Sequence, residues 1–206
     1  MSKRLLTIVI TMGLLVMLIA AGCGSSSEPK ESTIEKWAPK DESSESVIKK
    51  FAADGFYTAG KVKLAESIKQ VKFGYEFYKM DKLVSDEEKT SVGTEDGSTK
   101  GIASINVKEG ELTTYYDNDG KNEGIGGAGV LKGYERGKFT AFGGLQDGKK
   151  KIKIGKKVYL AAVAQGKKAI VSDPDAMAKD KSTMKGQAKT WLIYAVFDKK
   201  SNKEDK

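Results

Sequence analysis

Six lysines, Lys149, Lys150, Lys151, Lys153, Lys156 and Lys157, fall within nine residues of this chain, and ammonium groups at that density can hold an anion. Ile152 and Ile154 alternate with them. That spacing predicts a strand with the isoleucines turned inward and Lys151 and Lys153 outward. Two roles fit such an edge hairpin. Its lysines can block sheet-to-sheet pairing, or they can form an anion-binding face for a wall polymer such as teichoic acid, lipid head groups or an acidic protein partner. Nucleic acid fits less well, because aromatic rings that stack on bases do not interleave with these lysines and only Tyr159 is near.

What the chain lacks narrows the chemistry further. It has no histidine and a single cysteine, so Ser-His-Asp and Cys-His nucleophilic systems and His-ligated zinc are excluded. Carboxylate pairs, Ser-Lys pairs and oxygen-ligand metals remain. Asp86, Glu87, Glu88, Glu95 and Asp96 crowd one polar run, but no two are spaced as an acid–base pair. Gly124-Ile125-Gly126-Gly127-Ala128-Gly129 matches the string of dinucleotide sites. That string works only between a strand and a helix. Here a polar run precedes it and Gly133 and Gly137 come after, so it predicts a flexible or bulged loop. Asp117-Asn118-Asp119-Gly120 has the opening of a calcium loop, but the next ligand position is Lys121. A hairpin turn is the better account. No metal and no cofactor are expected.

The one cysteine, Cys23, lies at the end of a distinctive start. Lys3 and Arg4 precede an apolar run from Leu5 to Ala21, and Ala20-Ala21-Gly22 lead into Cys23. A basic start, an apolar stretch and small residues before a cut describe a secretory signal peptide. The Ala-Ala-Gly-Cys ending resembles the lipobox of bacterial lipoproteins. The resemblance covers 23 of 206 residues. It implies that the Cys23 thiol is lipidated, with acyl chains such as palmitate, and that residues 1–22 are removed. It also implies anchoring to the outer face of a cell membrane, in a Gram-positive envelope. An uncleaved membrane helix is the other reading of the apolar run, and the basic residues on its N-terminal side export the rest of the chain in either case. A third reading makes the signal peptide itself a pheromone precursor.

Two of the 36 basic residues precede Cys23, so the chain from Cys23 onward carries a net +6 against 28 acidic residues. Disulfides are impossible within that part, so its fold must rest on an apolar core.

Along the chain, residues 23–46 are rich in Ser, Glu, Lys and Pro and predict a disordered tether. Its reach would be limited to roughly 70 Å. A globular domain is expected over 47–198 and a charged tail over 199–206. Val47, Ile48, Phe51 and Ala52 share one helical face, ended by Gly55. Val71, Phe73, Tyr75 and Phe77 alternate with polar residues as in a half-buried strand. Gly101–Asp117 reads as a hairpin turning at Lys108-Glu109-Gly110-Glu111, and Ser85–Thr99 reads as a mobile loop before it. Lys138–Gly143, Lys151–Ile154, Lys157–Ala164 and Lys168–Val171 read as strands. Asp173-Pro174-Asp175 opens a short helix. Thr190–Phe197 is apolar on both faces and predicts a central strand.

The expectation is a single α+β domain, mainly antiparallel β-sheet with two short helices. Its expected function is that of a membrane-anchored, non-catalytic binding module for an anionic envelope ligand or a protein partner. The alternative is a hydrolase or transferase acting on envelope material through carboxylates.

Overall fold

The structure is a computed structural model, which describes residues 31–37, 55–118, 125–167 and 169–200. The apolar start, Cys23, the helix predicted over 47–52, the Asp119-Gly120 turn and the end of the tail lie outside the described residues.

The described part is mainly antiparallel β-sheet. In chain order the strands are β1 (Thr33–Lys36), β2 (Phe56–Lys79), β3 (Lys82–Lys108), β4 (Glu111–Asn118), β5 (Ile125–Val130), β6 (Thr140–Gly144), β7 (Lys149–Lys151), β8 (Lys157–Gln165) and β9 (Lys189–Asp198). One α-helix, α1 (Pro174–Lys179), and one 3-10 turn (Lys181–Met184) lie between β8 and β9. All strand pairs run antiparallel, in the order β5-β4-β3-β2-β9-β8-β6, with β1 pairing both β2 and β7.

The 24 residues of β2 would run about 80 Å if straight, too far for a domain of this size, so the strand must bend. Two opposed irregularities bend it. Between Lys63 and Ile68 the pairing with β3 gains residues on β2, and between Ile68 and Gln70 it gains them on β3. Extra residues of this kind increase local twist and turn a strand. Gly97 sits in the second irregularity at φ +73, and a Cβ there would lie 2.2 Å from Ser67 Oγ, so glycine is required.

The bend gives β2 two neighbours along one edge. Its first part pairs with β1 through Lys63, and its second with β9 from Gln70 to Tyr78. The β9-β8-β6 side curls back until Leu145, just after β6, donates its N–H to Thr58 Oγ1 near the start of β2. The apolar faces meet inside that curl. Val71, Phe73, Tyr75 and Phe77, predicted to share a buried face, are all 3% exposed or less. They pack with Ile105, Leu112, Tyr116, Leu160, Ile193 and Phe197. Trp191 is fully buried, stacked on Phe77 at 5.2 Å, and donates its indole N–H to the Lys132 carbonyl. A smaller cluster on the outer face, of Tyr78, Ala162, Met177, Met184 and Leu192, seats α1 and the 3-10 turn.

Several expectations are met. The hairpin over Gly101–Asp117 forms as β3 and β4, with Lys108 opposite Glu111 across the predicted turn. Strand β9 is flanked by β2 and β8 and buried on both faces, as its composition required. Asp173 caps α1, its side chain accepting the Asp175 N–H at 2.8 Å.

Others are corrected. The tether predicted over 23–46 is too long, because Thr33–Lys36 form β1 and Ile34 is 1% exposed in the core. Its polar neighbours hid this, since β1 contributes one large apolar side chain and otherwise pairs through backbone. Ser85–Thr99 is not a loop but the first part of β3, where polar residues are accommodated as partners of β2. Ile125–Val130, within the glycine-rich string, is an edge strand. A Cβ at Gly126 would meet the Thr114 carbonyl at 1.9 Å, so small residues let β5 lie against β4. Residues 169–172 form no strand.

Candidate functional site

Strand alternation decides where the six clustered lysines go. Lys149 and Lys151 point to one side of β7 and are exposed, whereas Lys150, between them, points to the other. Its ammonium lies 2.9 Å from both Asp173 Oδ2 and Asp175 Oδ2, tying β7 to the start of α1. Burial pulls the Lys150 pKa down, and the hydrogen bonds and charges of the two aspartates raise it overall. The sequence is also wrong about the partner of β7, which pairs with β1 and not with β8. The Ile152 N–H still donates to the Ser32 carbonyl, after which residues 153–156 turn away, the Gly155 N–H donating to the Phe197 carbonyl, and Lys157 enters the sheet in β8. The predicted edge hairpin therefore does not exist. Lys149, Lys151, Lys153 and Lys156 stay exposed, with Lys151 paired to Glu31 at 2.7 Å, while Lys150 and Lys157 are committed elsewhere.

Lys157 leads to the densest chemistry among the described residues. Its ammonium donates to Glu76 Oε1 at 2.7 Å and to Asp86 Oδ2 at 2.5 Å, and it lies 4.3 Å from the centre of the Tyr194 ring. Glu76 also accepts from Tyr159 at 3.1 Å and from Tyr78 at 2.6 Å, with Lys181 3.7 Å away. Tyr194 donates to the second oxygen of Asp86 at 2.8 Å. Four strands and the 3-10 turn supply this cluster: β2 brings Glu76 and Tyr78, β3 Asp86, β8 Lys157 and Tyr159, β9 Tyr194, and the turn Lys181. The sequence suggested that Glu76 faces water. It is 8% exposed, because α1 and the 3-10 turn cover that face of the sheet.

Electrostatics follow from this geometry. Burial pushes the Glu76 carboxyl up, but the Lys157 and Tyr78 hydrogen bonds and the charges of Lys157 and Lys181 hold it below its ordinary value. Burial, then the neighbouring carboxylates, raise Tyr78, Tyr159 and Tyr194 well above the usual phenol range. Burial also lowers Lys181. Glu76 and Asp86 are thus close enough to share one ammonium, a spacing that could suggest paired-carboxylate catalysis. The Lys157 ammonium fills the space between them, and Glu76 is held ionised, whereas a general acid needs a raised pKa. The arrangement ties β2, β3 and β8 together.

A second carboxylate is held in the same way nearby. Glu87 sits near pKa 2, mainly through the Lys89 hydrogen bond, with Ser85 and Tyr75 adding to it against burial. Tyr75 in turn accepts the Lys132 N–H at 2.9 Å, which fastens the segment after β5 to the sheet. Depressed carboxyls contribute stability above their unfolded pKa and lose it as they protonate. Stability is therefore expected to fall as pH drops from about 4.5 towards 2, the window set by Glu87. Urea titrations at several pH values test this. Glu87→Gln should flatten the fall, and an identical fall in the variant would refute the assignment.

One open cleft could take a ligand. It measures about 610 Å³ and is lined by Phe56, Tyr57, Phe142, Gly143, Val171 and Asp173 among others. Phe56 and Phe142 stack at 5.1 Å to form an aromatic wall, and Lys36 stands at the rim. Burial raises Tyr57 to about 12, against a weaker Ser104 contact. Sequence reasoning missed this cleft because its walls come from β2, β6 and the residues before α1, with no shared motif. Among the described residues no group of three or more His, Cys, Asp or Glu could hold a metal ion, and no helix is long and apolar enough to cross a membrane.

No family model, curated protein or solved structure matches this chain.

Proposed function

We propose that the chain is an exported lipoprotein, anchored through lipid on Cys23, whose β-domain binds a ligand or partner at the membrane surface without chemical turnover. The observation that carries the anchoring is the sequence ending in Ala20-Ala21-Gly22-Cys23 after its basic and apolar start. Support for binding over catalysis comes from the carboxylates. Glu76, Asp86, Glu87 and Asp173 each accept from a lysine or tyrosine, so each is engaged in a contact that holds the fold. The cleft beside Phe56 and Phe142 has a volume suited to a small ligand or a segment of polymer.

The domain would be held close. It begins by Glu31, and the chain from Cys23 to Glu31 spans roughly 27 Å at most. That leash is much shorter than one running to residue 46.

Cys23→Ala tests the anchor. Metabolic labelling with a fatty-acid analogue should mark the wild-type chain and leave the variant unlabelled, with uncleaved precursor accumulating. Equal labelling of the two would overturn the reading.

A further inference from the structure

One end of the domain carries apolar side chains where water would favour polar ones. The turn joining β2 to β3 is the two-residue loop Met80-Asp81, because Lys79 pairs with Lys82. Hairpin loops of this length favour Asn or Gly at positions of positive φ. Met80 takes φ 52 there and is 52% exposed. Leu83, two residues after Asp81, is 55% exposed. Two more exposed apolar side chains adjoin residues 187–189. Met80 donates its N–H to the Ala188 carbonyl, and Ala188 shares a groove with Phe139, which is 64% exposed. The Gln187 side chain clasps both backbone groups of Ile170, at 71% the most exposed large apolar residue among those described.

Around these side chains stand Lys79, Lys82, Lys138, Lys167, Lys185 and Lys189, against the acids Asp81 and Glu135. Lys185 approaches Asp81 at 4.0 Å, and Lys189 pairs with Glu135. The other four form no ion pair among the described residues, so the end keeps an excess of positive charge.

We infer that this end is a membrane-contact surface, which seats Met80, Leu83, Phe139 and Ile170 in the interface of an anionic bilayer while the surrounding lysines meet its head groups. The apolar residues come from three separate segments of the chain, each with an exposed lysine close in sequence. A protein interface would gather them into one continuous patch. Separate apolar groups with lysines close by suit a soft surface, into which each apolar group enters singly and each ammonium stays at head-group level. This contact is distinct from the exposed lysines near residue 153. Those lie by Asp198 at the far end of β9, about 30 Å from Lys189 along the strand. It does not depend on lipid at Cys23.

The test uses the full chain with Cys23→Ser, so that the only thiol is one introduced for labelling. In this uncleaved chain the apolar residues 5–21 are expected to stay and to hold it on vesicles. An environment-sensitive fluorophore is placed at Leu83→Cys or Phe139→Cys, with Lys153→Cys as control. The vesicles hold phosphatidylcholine with or without phosphatidylglycerol and a quencher on the lipid chains. Quenching at positions 83 and 139 but not at 153, and only with phosphatidylglycerol, supports the inference. Substituting Lys82, Lys138 and Lys167 by Gln should then lower the ratio of docked to free domain on the order of 100-fold. In the Leu83→Cys chain, Phe139→Ser with Ile170→Ser should also weaken quenching, with an unchanged melt. No quenching at 83 or 139, equal quenching at 153, or quenching that ignores the serine substitutions would overturn it. So would protection of these probes in cells without quenching on vesicles, which would mark a protein partner.

Discussion

A chain beginning at Ser46 is expected to lose cooperative unfolding, whereas one beginning at Glu31 should melt in a single transition. The shorter chain lacks β1, which pairs with β2 from Gly60 to Lys63 and with β7 from Lys149 to Lys151. Its loss strips ladder partners from two strands at once, and unpaired backbone groups that stay buried are costly. It also removes Ile34, which is 1% exposed and packs so close to Gly60 that a Cβ there would lie 2.5 Å from Ile34 Cδ1. Deleting a large aliphatic side chain from a core costs about 2–5 kcal/mol by itself. In the longer chain Ile34→Ala should therefore lower the urea midpoint by that equivalent. Lys36→Ala should do little, since its pairing with Asp147 is exposed. If the chain from Ser46 melts as sharply and as late as the chain from Glu31, β1 is dispensable and the domain boundary drawn from its pairing is wrong.

Glu76→Ala is expected to destabilise the domain by about 3–5 kcal/mol, the cost of breaking a largely buried ion pair by removing one partner. The substitution leaves Tyr159 and Tyr78 without the oxygens they donate to, Lys157 with Asp86 alone, and Lys181 without its nearest carboxylate. For a domain of this size the melting temperature should fall by roughly 10 °C. Glu76→Gln keeps the shape and one carbonyl acceptor, so it should cost less. The pair also yields a diagnostic double mutant. Glu76→Gln with Lys157→Met removes both charges, and replacing a buried pair by neutral groups is often far milder than removing one partner. Thermal melts of the wild-type chain, both single variants and the double variant measure the coupling. Additive losses would show that Glu76 and Lys157 do not act as a pair, against the contact at 2.7 Å.

The same cluster explains why some side chains were legible in the sequence and others were not. Val71, Phe73, Tyr75 and Phe77 announce a buried face by alternation, and they form one. The opposite face of that strand, with Glu76 on it, looked solvated because a carboxylate between apolar neighbours ordinarily is. Its burial depends on Tyr78, Tyr159 and Lys181, of which the last two are distant along the chain and meet it only when β8 joins the sheet beyond β9 and the 3-10 turn covers that face. No local spacing encodes that meeting.

Local physics thus determined a good deal. The Asp173-Pro174 start of α1, the β3–β4 turn at Glu109-Gly110 and the doubly apolar β9 are set by capping, by positive φ and by burial on both faces. The absence of histidine bounds the chemistry before any fold is known. The length of β2 and β3, the entry of Thr33–Lys36 into the sheet and the division of the lysines were decided by tertiary structure. Polar residues such as Thr90 and Lys100 join a strand because an established neighbour offers backbone partners, whatever their own propensity. Lys150 and Lys157 belong to a basic run in the sequence, yet Asp173, Asp175, Glu76 and Asp86 claim them. A charge counts as part of a surface only after the fold has placed its counter-charges, and those come from elsewhere in the chain.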